Sequence, residues 1–245
     1  MLPLTVCLAF IFSFIFALGG VGSALALVPI LHWLGVPLDA ARPTGLMINV
    51  LSMGGASYAN IKNKRLDFRL ALPIIIASTL LAPAGAWCST LISRQMVLWG
   101  FFLFMLFSSF MLLFYHKKQG HSDKKKSSFA APALVGAGAG FLSGLLGVGG
   151  GMLISPLLIM MGFNPKKVAA ITAFVVPFSS FTAFTAYALL GTVQWQVLIF
   201  AAMAAYFGGV LGTTVMQRHL KAVAIKRFLG ILLIIMAGKL LYSLL

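Results

Sequence analysis

The chain has 245 residues, is 61% hydrophobic and only 9% charged, and has a mean hydropathy of +1.05, a composition far outside that of water-soluble globular proteins. Its 18 Lys and Arg against 3 acidic residues give a net charge of +15; in so apolar a chain this points to basic loops on the cytoplasmic face of a bilayer, and no nucleic-acid partner is expected. Cys7 and Cys88 stand alone without metal-ligand spacing, so no disulfide framework, zinc site or cofactor is expected.

Taken in order, apolar segments run from Leu2 to Leu34, Pro43 to Ile61, Leu70 to Ile92, Met96 to Tyr115, Phe129 to Phe163, Val168 to Leu190, Trp195 to Gln217 and Ala224 to Leu245. They predict an all-α polytopic membrane protein. The stretch Met1 to Gly20 has no basic n-region and its like recurs mid-chain, so it is read as part of the mature protein rather than a signal peptide. Residues 116–128, HKKQGHSDKKKSS, are too charged to be buried and divide the chain into a first repeat, 1–115, and a second, 129–245.

The first and fifth segments are longer than the roughly 20 residues a crossing needs, and each carries glycines near its middle. Residues 144–158 read GLLGVGGGMLISPLL. Each glycine costs about 1 kcal/mol relative to Ala in a helix interior, so the run predicts a break. A helix resuming after it presents unpaired N–H groups at the positive end of its dipole, which is an anion site by construction. Gly136, Gly140 and Gly144, four apart, instead read as a small-residue packing face.

The halves are alike. Setting Pro29 against Pro156 aligns Leu18 to Leu31 with Leu145 to Leu158, with six of fourteen pairs identical, and puts Gly35 on Gly162. One residue out of step, Thr44 and Ser52 match Thr172 and Ser180. Two related halves, each around a broken segment, predict transporter architecture. Charge bears on topology: if the long segments return to the side they left, Lys62, Lys64, Arg65, Arg69, the linker lysines, Lys166, Lys167, Arg218, Lys221, Lys226 and Arg227 share one side. Only Arg42, Arg94 and Lys239 are then left for the other. Eight full crossings would give no such bias, so glycine-broken, re-entrant first and fifth segments and inverted repeats are expected.

The motif GVGGGMLISPLL after a glycine-rich helix, echoed by GGVGSALALVPIL, resembles the sulfite exporter TauE/SafE family, as do two related halves joined by a basic linker. The resemblance implies a multi-pass inner (plasma) membrane permease, not an enzyme, exporting small sulfur-containing anions such as sulfite or organosulfonates. The family pattern falls on Gly147, Gly149, Gly150, Gly151 and Pro156, and in the first half on Gly20, Gly22 and Pro29, with Ser23 and Ala24 where glycines are expected. Near the second segment of each half the family's Thr-Ser-Leu is replaced by Thr44-Gly45-Leu46 and Thr172-Ala173-Phe174.

Catalysis has little to stand on: there is no Glu, and the three Asp and four His lie at segment ends or in connections. For binding, Thr44, Asn49, Ser52, Ser57 and Tyr58 in one half, and Thr172, Ser179, Ser180, Thr182, Thr185 and Tyr187 in the other, sit in membrane segments where a hydroxyl or amide can donate to an anion; back-bonding to their own helices is the competing role. The expected substrate-binding residues are Gly20, Gly22, Ser23, Thr44, Ser52, Gly147, Gly149, Gly150, Gly151, Thr172 and Ser180. Arg42 and Lys239 read as cations snorkelling to headgroups, and Trp33, Trp99 and Trp195 as interface anchors. The expected partners are a small anion and the lipid bilayer, with a homo-oligomer left open. The alternatives are a channel-like anion facilitator and a non-transporting membrane scaffold or assembly factor. With no acid or His at mid-membrane to relay protons, electrogenic efflux is expected.

Overall fold

The computed structural model describes residues 2–114, 129–190, 193, 195–219 and 221–244. The expected linker, 116–128, lies outside the described residues. Among those described there are ten helices and no strand: α1 (Leu2–Ala17), α2 (Ala24–Trp33), α3 (Leu38–Lys62), α4 (Phe68–Cys88), α5 (Arg94–Phe114), α6 (Ala130–Leu146), α7 (Gly151–Met160), α8 (Pro165–Leu190), α9 (Trp195–His219) and α10 (Ala222–Leu244). Spans of sufficient length and hydropathy to cross a bilayer are found in α4, α8 and α9. Large apolar side chains such as Leu80, Leu103, Leu189 and Tyr242 lie on the outside, as a lipid-facing surface requires.

Both long apolar segments are two helices. Their parts, 16 and 10 residues in α1 and α2, 17 and 10 in α6 and α7, are about 15–26 Å long at 1.5 Å per residue, each short of a hydrocarbon core of about 30 Å. The interruptions are made the same way. Gly20 (φ +65°) and Gly147 (φ +73°) take the left-handed conformation that costs other residues about 1–2 kcal/mol. The next amide then bonds back to close the helix, Val21 N–H to Phe16 O at 3.1 Å and Val148 N–H to Ser143 O at 3.2 Å. The short helices end alike at Gly35 (φ +91°) and Gly162 (φ +99°), with Val36 bonding to Leu31 O and Phe163 to Leu158 O. At these four glycines the 127-residue sequence offset is thus also an offset in backbone conformation, whereas Gly149 (φ +77°) has no left-handed counterpart at Gly22.

Packing exchanges the halves. The stripe Gly136, Gly140 and Gly144 of α6 lies on the backbones of Ile74, Ser78 and Ala82 of α4, in step, so these helices run parallel. Correspondingly, Gly208 and Gly212 of α9 lie on Phe10 and Phe14 of α1. Between these pairs, α3 and α8 pack antiparallel through Asn49 with Ser180 and Ser57 with Ala173. The equivalent helices of the two halves therefore run in opposite directions through the centre.

The stripe yields a controlled prediction. A side chain at Gly140 would overlap the Ser78 backbone, whereas nothing lies within 4 Å of a Cβ on Gly138, two residues earlier on the same helix. Gly140→Leu should cost at least about 2 kcal/mol through overpacking and sharply lower the yield of monodisperse protein in fluorescence-detected size exclusion. Gly138→Leu should behave as wild type.

Candidate functional site at the meeting of two helix breaks

The two breaks face each other at the α3/α8 crossing. A Cβ on Gly151 would lie 3.4 Å from the Gly22 amide nitrogen. Among the described residues, the amides of Gly22, Ser23, Ala24 and Leu25 find no backbone acceptor, and neither do those of Gly149, Gly150, Gly151 and Met152, at the same offset of 127. These are the four orphan donors that begin any helix. Here two sets, each at a positive dipole end, meet in the interior. No side chain caps either helix: Ser23 and Gly150 hold the cap positions without a side-chain bond.

Asn49 is the side chain common to both breaks. A Cβ on Gly22 would meet its Oδ1 and one on Gly149 its Nδ2, and Nδ2 donates to Ser180 Oγ at 3.0 Å. Asn49, Ser52 and Ser180 are fully buried, and Asn49 Oδ1 and Ser52 Oγ have no partner. Such groups inside a protein cost on the order of 1–3 kcal/mol each when left unmade.

The expected residues divide by role. Gly22, Gly149, Gly151, Ser52 and Ser180 come together around Asn49. Gly151 also approaches Thr172, whose Oγ1 accepts from Ser155 Oγ at 3.1 Å. Ser23 accepts from Ser13 Oγ at 3.2 Å. Gly150 faces away, toward the Ala139 carbonyl of α6, and Gly20 packs on Ala169 of α8. Thr44 donates to Ala40 O at 2.7 Å, one turn back in its own helix. Gly147 lies against the stem of Arg42.

Arg42 does not snorkel. It is 5% exposed, its Nη1 donates to Ser89 Oγ at 3.4 Å, and its guanidinium lies 5.5 Å from the Tyr187 ring centre. Lys239 stacks on the Trp33 ring at 4.5 Å. At the opposite end of α3 from Arg42, Lys167 pairs with Asp67 at 2.9 Å. Among the described residues no three His, Cys, Asp or Glu side chains gather as a metal group.

Residues 5–240 match the family model described as Sulfite exporter TauE/SafE. The chain belongs to the TauE/SafE sulfite exporter family. It is 27% identical to "Probable membrane transporter protein YunE" of Bacillus subtilis over 91% of both chains, and 24% identical to "Probable membrane transporter protein MJ0441" of Methanocaldococcus jannaschii over 95% of this chain and 94% of that one. It is also similar to "Sulfite exporter TauE/SafE family protein 5" of Arabidopsis thaliana, 41% identical over 33% of this chain and 18% of the plant protein. No solved structure matches. This TauE/SafE chain is accordingly a multi-pass membrane transporter and not an enzyme.

The Lys167 hydrogen bond holds the Asp67 carboxyl below its ordinary 3.8, against a smaller opposing effect of burial. A depressed carboxyl stabilises the fold above the unfolded-state value and loses that contribution as pH falls through the folded value. Both side chains are 35% exposed, so solvent screening keeps the pair in the surface range. Asp67→Asn should cost less than about 1 kcal/mol at pH 7, with the difference from wild type shrinking below about pH 4 in thermal melts.

Proposed function

We propose that this transporter exports small sulfur-containing anions such as sulfite or organosulfonates, and that the anion is held where the two breaks meet. The observation that carries the reading is the convergence of two uncapped sets of helix N-terminal amides on one buried polar centre. An oxyanion relieves the repulsion between two like dipole ends and accepts from amides that otherwise go unpaired. Ser52 and Ser180 hydroxyls supply neutral donors beside them. The substrate class comes from the family and from the name its plant relative carries. Asn49, lying against both Gly22 and Gly149, fills the centre from side to side, which favours a carrier over an open pore. None of these groups titrates, so efflux follows membrane potential, about 2.3 kcal/mol per elementary charge per 100 mV.

The repeats are, in this reading, inverted and their broken segments re-entrant, in the inner membrane with the basic side cytoplasmic. Support comes from the antiparallel pairing of α3 with α8, from α1 and α6 running parallel to the exchanged helices α9 and α4, and from the Asp67–Lys167 ion pair. That pair ties the α3–α4 loop to the start of α8. Eight full crossings would put those connections on opposite sides.

Gly151→Ala tests the centre. Its backbone needs no left-handed conformation, and the added methyl would lie 3.0 Å from Val176 Cγ2, 3.1 Å from Thr172 Cγ2 and 3.4 Å from the Gly22 amide nitrogen. Sulfite and methanesulfonate efflux from proteoliposomes should fall at least tenfold at unchanged folded yield; normal flux would place the anion elsewhere. Topology is tested with Lys64→Cys and Asn164→Cys in a background lacking Cys7 and Cys88. An impermeant maleimide should label both from the same side of the membrane, and labelling from opposite sides would sink the inverted arrangement.

A further inference from the structure

Where α3 begins and α4 and α8 end, a cavity of about 380 Å³ is lined by Leu38, Asp39, Arg42, Ser89, Thr90 and Tyr187 among others. Arg42 is its buried cation. A guanidinium carries five donors and cannot shed its charge inside a protein. Here one donor makes a long bond to Ser89 Oγ at 3.4 Å, and Nε is buried without a partner. Among the described residues the one ion pair is Lys167 with Asp67, so no carboxylate lies within 4.0 Å of Arg42, although Asp39 stands on the cavity rim one turn earlier. Burying an unpaired charge is costly, and Ser89 Oγ and the Tyr187 ring, 5.5 Å away, meet it only in part. Tyr187 Oη gives its one proton to the end of α6 or to Ser89, 2.7 Å from Gly144 O, 3.2 Å from Leu145 O and 2.9 Å from Ser89 Oγ, which leaves only an oxygen lone pair to turn to the guanidinium.

The cavity adjoins the breaks. Asn49 follows Arg42 by seven residues, about 10 Å along α3, and a Cβ on Gly147 would lie 2.8 Å from Arg42 Cγ while one on Gly149 would meet Asn49. Arg42 also has no counterpart in the other half: at the offset of 128 that relates Ser52 to Ser180, position 170 is alanine. Its charge therefore answers to something on one side of the protein only.

We propose that the Arg42 cavity is a second anion site, taking a small oxyanion of the sulfonate or sulfite type on the guanidinium, on the side of the membrane opposite the basic loops. The inference rests on the anion-transport reading above and adds to it a one-sided station about 10 Å from the break centre.

The test uses the purified full chain and radiolabelled methanesulfonate. Arg42→Gln should weaken equilibrium binding at least tenfold, whereas Arg42→Lys, which keeps the charge, should stay within about threefold of wild type. Asp39→Asn should also stay within threefold; a tenfold gain would mean that Asp39 is the counter-ion of the guanidinium, and would overturn the site. Should Arg42→Gln not fold, Thr90→Cys in a background without Cys7 and Cys88 gives a second reading at the cavity wall. Methanesulfonate should slow its labelling by an anionic thiosulfonate at least fivefold. Unchanged binding in Arg42→Gln, or unprotected labelling at Thr90→Cys, overturns the site. Gly151→Ala separates the two readings: it should lose transport while Thr90→Cys protection persists in the double variant. Wild-type protein that neither binds nor moves any sulfonate or sulfite would defeat the transport reading itself, and the Arg42 site with it.

Discussion

The constraint on which this fold depends is that a backbone amide in the membrane interior has no water to satisfy it. Each broken segment starts a helix within the bundle and so strands four donors there. A lipid-facing break would be untenable, and a break facing a purely apolar core nearly so. The surrounding architecture answers this. Both breaks are turned inward, covered by α3 and α8, and given Asn49, Ser52 and Ser180 as the neighbouring polar groups. Asn49 Oδ1 and Ser52 Oγ remain unpartnered even so, which makes the centre a place where a polar guest is worth more than further packing.

Neither half could hide its break alone. The first helix of each half packs on the fourth helix of the other, α1 on α9 and α6 on α4, through glycines whose missing side chains let the backbones touch. A motion that rocked one sequence half against the other would have to part those contacts. The units that the packing defines are mixed: α1, α9 and α3 on one side, α6, α4 and α8 on the other, meeting along α3 and α8. The proposed anion centre lies on that seam, where small shifts between units change access most directly.

Much of this was legible in residue spacing, for physical reasons. Gly20 and Gly147, and Gly35 and Gly162, recur because each end needs a left-handed residue to turn its last amides back, and only glycine adopts that freely. Which glycine faces the centre was not legible. Gly149, Gly150 and Gly151 are adjacent, but 100° of rotation per residue turns Gly150 onto Ala139 and Gly151 onto Thr172. Asn49 has Pro177 as its partner position in the second half, so repeat symmetry does not single it out. Arg42 lies near a segment end, where a cation is expected to snorkel; its burial depends on Gly147, 105 positions away, leaving room for its stem. Thr44 recurs with Thr172 in the repeat, while its hydroxyl donates to the Ala40 carbonyl one turn back in its own helix.

The one-sided charge has an energetic consequence for export. At about 10 Å and an effective dielectric of about 20, a guanidinium attracts a monovalent anion at the breaks by roughly 1.7 kcal/mol. That is comparable with the roughly 2.3 kcal/mol that 100 mV supplies to one charge crossing the whole membrane, but it acts over a fraction of the distance. On the proposed reading, an anion leaving the basic side moves from neutral amides toward a fixed cation, downhill along the same direction as the potential. The cation would become a trap if it closed around the anion with several short bonds. Its partial engagement by Ser89 and the Tyr187 ring, and its place in a cavity rather than in the packed centre, argue for a shallow station if the proposed site is occupied. In the proposed arrangement a neutral centre that selects and a one-sided cation that draws the anion onward divide two tasks that a single tight site would set against each other.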